Sequence, residues 1–239
     1  MPLLSVVIPS RNEQYLNQTI KDILQKSKGK IEVISVLEGY WPEIIEDKRV
    51  HYIHFSEPRG MRGAINAGVA LASGEYIMKT DAHCMFNDGF DTKILENIEK
   101  NWIVIPRRYA LDVSTWEIEK RTDNKYPIDE MVLNENLQGI PTERRFTETI
   151  TDLETFQGSC WVMNKDYFHK LKLLDDKTYG SFWQEAQEIC GKCRKDGGRV
   201  VCNISTWYAH WHKTEGRGYS LSDDKQITRQ AIRELYESN

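Results

Sequence analysis

The chain opens with an unbroken apolar run, Leu3-Leu4-Ser5-Val6-Val7-Ile8, and then turns polar at "PSRNE". From Leu16 the apolar residues recur at helical spacing through Ile20, Ile23 and Leu24. A strand, a polar turn and a helix are therefore predicted in that order. The pattern repeats, with strands expected at "IEVISVL" and "VHYIHF", a helix over "MRGAINAGVALASG" closed by Gly74, and a buried strand at "EYIMKT". A helix near Phe90–Lys100 and a strand at "WIVIP" complete the first half. Parallel strands need crossover connections, so this alternation predicts an α/β fold: a mainly parallel mixed sheet flanked by helices.

Between Arg108 and Thr155 the periodicity disappears and charged residues dominate. A stretch of that length without strong elements is expected to be a functional insertion or lid, or a disordered surface stretch, with an insertion on the acceptor side of a site favoured. Regular patterning then resumes. Strands are predicted at "GSCWVMN" and "RVVCNI", a short helix at "KDYFHKLKLL", and a helix over "SFWQEAQEICGKCRKDGG" that stops at its glycine pair. The final "DDKQITRQAIRELYESN" reads as an amphipathic helix capped by Asp223, with Ile227, Ala231, Ile232 and Leu235 inward. Without a linker or repeat to divide it, the sequence predicts a single domain over 1–239: a first half over 1–107, an insertion over 108–155 and a second half over 156–239.

In open α/β sheets, ligands sit outside the carboxyl ends of the strands. "PSRNE", "LEGY", "SEPRG" and "TDAHC" each follow a predicted strand. They should gather Arg11, Glu13, Glu38, Arg59, Arg62, Asp81 and His83 at one crevice. If Lys79–His83 is extended, Asp81 and His83 project to the same side and Ala82 points away, offering a carboxylate and an imidazole to one ion. Arg59 and Arg62 flank glycines at a predicted helix start, a favourable place for phosphate.

Composition narrows the classes. A net charge of −4 argues against a protein that coats nucleic acid through bulk charge. No run of about 18 apolar residues is present to span a bilayer, and the N-terminus lacks a signal-peptide pattern, so a cytoplasmic protein is expected. Five cysteines, an odd number, are expected to be reduced and not a disulfide framework.

"SVVIPSRNE" followed by "RGAINAGVALASGEYIMKTDAH" resembles the nucleotide-sugar half of family 2-type glycosyltransferases of the GT-A fold. "DAHC" is closer to the Asp-x-His of the polypeptide N-acetylgalactosaminyltransferases, and "TFQGSCWVMNKDYF", "YGSFWQEAQEICGKCRKDGGRV" and "YAHWHK" are similar to their acceptor half. The resemblance implies a divalent cation bridging the diphosphate of a nucleotide sugar, held by Asp81, His83 and a distal histidine. His210 is the better match for that third ligand, with His212 on the same face as the alternative and Trp211 expected to face the core. A mixed oxygen and nitrogen set suits Mn²⁺ more than Mg²⁺. It also implies that Pro9, Arg11 and Glu13 border the base and ribose, with Glu38 replacing the family's usual paired acids and uridine as the default base. Glu185 and Glu188 fall where the family carries its catalytic carboxylates, and both retention and inversion stay open. The segment after His210 suits a lid, with Lys213 and Tyr219 reaching the diphosphate or sugar.

The expected activity is metal-dependent transfer of a sugar, from UDP-sugar by default, to a hydroxyl of a saccharide, a protein or a hydroxymethylated pyrimidine in DNA. For the DNA acceptor, "PRRYA", "ERRF" and "KCRKDGGR" would contact phosphates. The rival of another class is a non-catalytic binding module stabilised by zinc on Cys190, Cys193, Cys202 and His210.

Overall fold

A computed structural model describes residues 2–121, 125–213 and 223–238. Strands β1 (Leu3–Arg11), β2 (Lys30–Glu38), β3 (Val50–Phe55) and β4 (Tyr76–Thr80) run parallel, with α1 (Leu16–Lys26) and α2 (Gly60–Leu71) as crossovers. Then come β5 (Cys84–Phe86), α3 (Phe90–Leu95), β6 (Trp102–Asp112), β7 (Glu117–Ile118), β8 (Met131–Leu133), β9 (Gly139–Pro141) and β10 (Ile150–Asp152). The chain closes with β11 (Cys160–Asn164), α4 (Lys165–Lys170), α5 (Asp176–Tyr179), α6 (Glu185–Lys195), β12 (Arg199–His210) and α7 (Lys225–Glu237).

The main sheet has the order β10-β12-β6-β11-β4-β1-β2-β3. β11 is antiparallel to both β4 and β6, and β12 is parallel to β6. A reversed strand, β11, thus sits between β4 and β6, which share a direction, and at the edge β10 runs antiparallel to β12. Alternation along each strand feeds two cores: Leu4, Val6 and Ile8 pack with α1 and α3, while Val7 faces α2 on the opposite side. Burial on both faces is why β1 is apolar almost without interruption. Among the described residues, no helix is long and apolar enough to cross a membrane.

Several boundaries differ from the sequence expectation. α3 ends at Leu95, and residues 96–101 form turns that lead into β6, so the helix predicted to Lys100 is half as long. β6 continues to Asp112 and β12 to His210, well past the apolar stretches that flagged them. The polar residues in these extensions are paid for by partners: Arg107 donates from Nε and Nη2 to the buried Asp129 at 2.6 and 2.7 Å. The segment over 108–155 is not devoid of structure. It contributes β7 to β6, the β8–β9 hairpin and β10 at the sheet edge, pinned by the backbone N–H of Phe146 donating to Asp129.

At the C-terminus, α7 buries Ile232 and partly buries Ala231 and Leu235 as its apolar spacing suggests, but Ile227 turns outward. Thr228 and Ile232, one turn apart, are fully buried, whereas Ile227 is 59% exposed. The Thr228 hydroxyl donates to the carbonyl of Tyr179, which fixes that face. The N-cap is Asp224, not Asp223, and the Asp224 carboxylate accepts from the backbone N–H of Ser181.

α2 lies so close to β1 that a Cβ on Gly68 would stand 2.4 Å from Val7 Cγ1 and 3.2 Å from Val36 Cγ2. Gly68→Ala is therefore expected to destabilise the protein by about 1–3 kcal/mol, the usual cost of overpacking, read from the midpoint of a urea titration.

Candidate active site

β1, β2, β4, β6 and β12 point the same way, so their carboxyl ends, at Arg11, Glu38, Thr80, Asp112 and His210, share one edge. The reversed β11 begins at that edge, which brings Gln157, Gly158 and Ser159 to it as well. A crevice of about 540 Å³ opens there. Of the residues expected at the site, Pro9, Arg11, Glu13 and Glu38 line one wall with Arg59, and Asp81, His83 and Glu185 line the floor.

β4 stops at Thr80, so Asp81–His83 is a bend and not the extended stretch expected. The two side chains still converge. Asp81 Oδ2 lies 3.2 Å from His210 Nε2 and 3.9 Å from His83 Nε2. β5 pairs with the end of β12, setting His210 opposite Cys84, and the backbone N–H of Trp211 donates to the His83 carbonyl. Asp81, His83 and His210 thus form a group whose ligand atoms lie within 4.8 Å of one another. Neighbouring ligands of an octahedral cation, each about 2.1 Å away from it, are separated by about 3 Å, so the donor set fits a divalent ion with little adjustment. The His83 Nδ1–H donates to Glu13 Oε2 at 3.1 Å, which leaves Nε2 as the free lone pair facing Asp81.

Asp81 divides its oxygens. Oδ1 accepts from Lys79 Nζ at 2.7 Å, while Oδ2 faces the two imidazoles. Lys79 is 1% exposed and also donates to the Gly158 carbonyl, with Glu185 Oε2 at 3.5 Å. Glu185 Oε1 in turn accepts from Trp161 Nε1 at 2.6 Å. Burial works against the charged form of Asp81, but Lys79 and His210 outweigh it and hold the carboxyl well below the usual range. For Glu185 burial prevails over Lys79 and Trp161, and its pKa is raised. Burial pushes His210 down to about 3, against the pull of Asp81. Glu13 is held below its usual value: burial opposes this, while His83 and Lys213 favour the anion.

Other expected site residues are placed differently. Arg62 and Glu188, both fully buried, face each other at 3.1 Å beneath the crevice, and Arg62 Nη1 donates to the Trp183 carbonyl. Glu188 also takes Lys192 at 2.7 Å and the backbone N–H of Asp175 at 3.2 Å. These two are turned toward the interior because the start of α2 is bonded to the segment that leads into α6, through Ser181 and Trp183. Glu38 accepts from the backbone N–H of Arg59 at 2.6 Å, securing the approach to α2. Lys213 is paired with Glu13, and Tyr219 lies outside the described residues. His212 is exposed and stands beside His210 without joining the Asp81 group. Trp211 is half-buried against Tyr15 and His83, not in the main core.

The zinc arrangement fails on distance. Cys202 and His210 lie toward opposite ends of β12, roughly 20 Å or more apart at about 3.3 Å per residue, and Cys190, Cys193 and Cys202 are packed in the core. Nor do the arginines of the basic stretches support a phosphate-tracking groove: Arg107 and Arg144 pair with Asp129 and Glu130, Arg194 donates to main-chain carbonyls, and Arg108 is buried. Lys79 and Trp161 were not singled out by sequence patterning. The available signal was a lysine inside a strand otherwise read as buried, since a buried ammonium demands anionic partners.

The model of glycosyl transferase family 2 matches residues 5–172. The chain belongs to that family. It is 23% identical to the glycosyltransferase GlyG of Streptococcus pneumoniae over 205 residues, covering 78% of this chain and 67% of GlyG. It is 28% identical to human polypeptide N-acetylgalactosaminyltransferase 3 over 201 residues, 74% of this chain but 32% of the human protein. The crystal structure of GalNAc-T7 with UDP, GalNAc and Mn²⁺ superposes with a TM-score of 0.83 at 17% identity, covering 99% of this chain and 48% of that one. The fold is GT-A. The chain spans only part of these relatives, about a third of the human enzyme and half of GalNAc-T7.

Two outcomes are expected from this geometry. Glu188→Gln should destabilise the fold by about 3–5 kcal/mol, because it strands the Arg62 charge in the interior, whereas Glu185→Gln should leave the urea midpoint far less affected. Secondly, the folded chain keeps His210 neutral while the unfolded chain takes up a proton below its ordinary value of 6.5. The unfolded state thus binds more protons, and stability falls as pH drops from about 6.5 toward 4. Urea titrations at several pH values in EDTA should show that slope, shallower in His210→Gln.

Proposed function

We propose that this family member transfers a sugar from a UDP-sugar to a hydroxyl acceptor, with Mn²⁺, or Mg²⁺ in its place, held by Asp81, His83 and His210. The observation that carries this reading is the convergence of those three side chains at the head of a crevice. The donor and ion named with GalNAc-T7, and the transferase names of the sequence relatives, support it. The cation would act as a Lewis acid on the departing diphosphate.

The chain's own residues supply the remainder. Pro9, Arg11 and Glu38, at the ends of β1 and β2, form the wall suited to the nucleoside. Arg59, stacked 4.2 Å from the Phe55 ring centroid at the start of α2, suits an anionic part of the donor. Glu13 acts through His83, since both of its oxygens are engaged, one by His83 and one by Lys213.

Glu185 faces the place where the sugar would lie, yet both its oxygens are engaged, by Trp161 and Lys79. A general base needs a free oxygen within reach of the acceptor hydroxyl. The arrangement therefore supports Glu185 as an anion that orients the sugar and favours oxocarbenium-like charge, and it supports retention over inversion.

With purified protein and UDP-sugars, Mn²⁺ should restore donor turnover after EDTA treatment. Asp81→Ala and His83→Ala should each lower that turnover at least about a hundredfold, the scale seen for lost electrostatic stabilisation at a reacting centre, while circular dichroism stays unchanged. Full activity in both variants would remove the metal reading.

A further inference from the structure

Lys79 is the group that the proposed chemistry leaves without a task, although it stands between the two carboxylates that matter most. On β4 it projects to the face shared with Ile77, beside Trp161 of β11, its register partner. α6 covers that face and lowers Glu185 onto both. The ammonium donates to two acceptors, Asp81 Oδ1 and the Gly158 carbonyl, and forms an ion pair with Glu185 Oε2 at 3.5 Å. With a side chain only 2% exposed, it has no surface left for a ligand.

We propose that Lys79 is a positioning residue that sets the cation site and the sugar-facing carboxylate as one unit. This rests on the metal reading above. By taking Oδ1, Lys79 reserves Oδ2 of Asp81 for the ion and fixes the carboxylate plane toward His83 and His210. By holding Glu185 through its other contact, it ties the floor on the α6 side to the same atom. Gly158 completes the clamp: its carbonyl takes the second hydrogen bond, and a Cβ there would stand 2.8 Å from Glu185 Oε2, so a larger residue would push that carboxylate off the lysine.

The charge balance gives the arrangement a second effect. Lys79 offsets one of the two anions, so the site without a donor would present the cation with two imidazoles and a carboxylate already shared. A nucleotide diphosphate then has to supply much of the ion's charge compensation and several of its oxygen ligands. Ion and donor are accordingly bound together more tightly than either alone.

The test measures free Mn²⁺ by its solution EPR signal, titrated into wild-type protein, Lys79→Met and the double variant Lys79→Met with Glu185→Gln, each with UDP present. Removing an outer partner of a ligand typically weakens metal affinity about 10- to 100-fold. That loss is expected in the double variant, which keeps the wild-type net charge and so isolates positioning; Lys79→Met alone also removes a positive charge beside the ion and is expected to lose less. Wild-type Mn²⁺ affinity in the folded double variant would overturn the proposal. If the wild-type protein itself leaves the free-ion signal unchanged, the metal reading falls and the role of Lys79 falls with it.

Discussion

Parallel strands cannot be joined by tight hairpins, so each of the leading strands must return across a face of the sheet before the next begins. That return delivers β1, β2 and β4 to one edge with their carboxyl ends aligned, and the same direction is kept by β6 and β12. The crevice follows from this alignment. The reversed strand within the sheet's interior, β11, is equally necessary: it enters the sheet from the crevice side and so brings a main-chain carbonyl, that of Gly158, among the charged groups.

Inside the crevice the governing cost is desolvation. Asp81, Lys79, Glu185, Glu13, His83 and His210 are drawn from separate elements and would each be unfavourable there alone. They are tolerable as a network in which almost every donor meets an acceptor, from Trp161 through Glu185 and Lys79 to Asp81, and from Lys213 through Glu13 to His83. The paired arrangement of Arg62 with Glu188 solves the same problem where nothing is bound, which explains why two acids three residues apart on α6 have such different surroundings.

What was legible in the sequence was whatever follows from periodicity and strand-end placement. The leading α/β pattern and the gathering of Arg11, Glu13, Glu38, Arg59, Asp81 and His83 follow from apolar runs ended by polar turns, while the GT-A fold is implied by the family resemblance of the motifs and not by periodicity. Rotation about a helix axis was not legible: Arg62 and Glu188 sit on helices whose registers are set by tertiary packing, and Ile227 was assigned inward when Thr228 holds that face. The extended parts of β6 and β12 were hidden because their polar residues are matched by distant partners such as Asp129. Lys79 escaped notice because a charge within an apolar run is read as an interruption, whereas here its partners are spread over residues 81, 158 and 185.

The pairing of β5 with the end of β12 joins residues more than a hundred positions apart, and it is this ladder that carries His210 to Asp81 and His83. As the chain emerges from a ribosome, Asp81, His83 and most of the sheet are made long before His210. A nascent chain halted before β12 could have the strand edge and the aspartate, yet hold no complete triad. Completion of the Asp81, His83 and His210 group is thus a late event in synthesis, and it coincides with insertion of the long strand that closes the gap between β6 and β10.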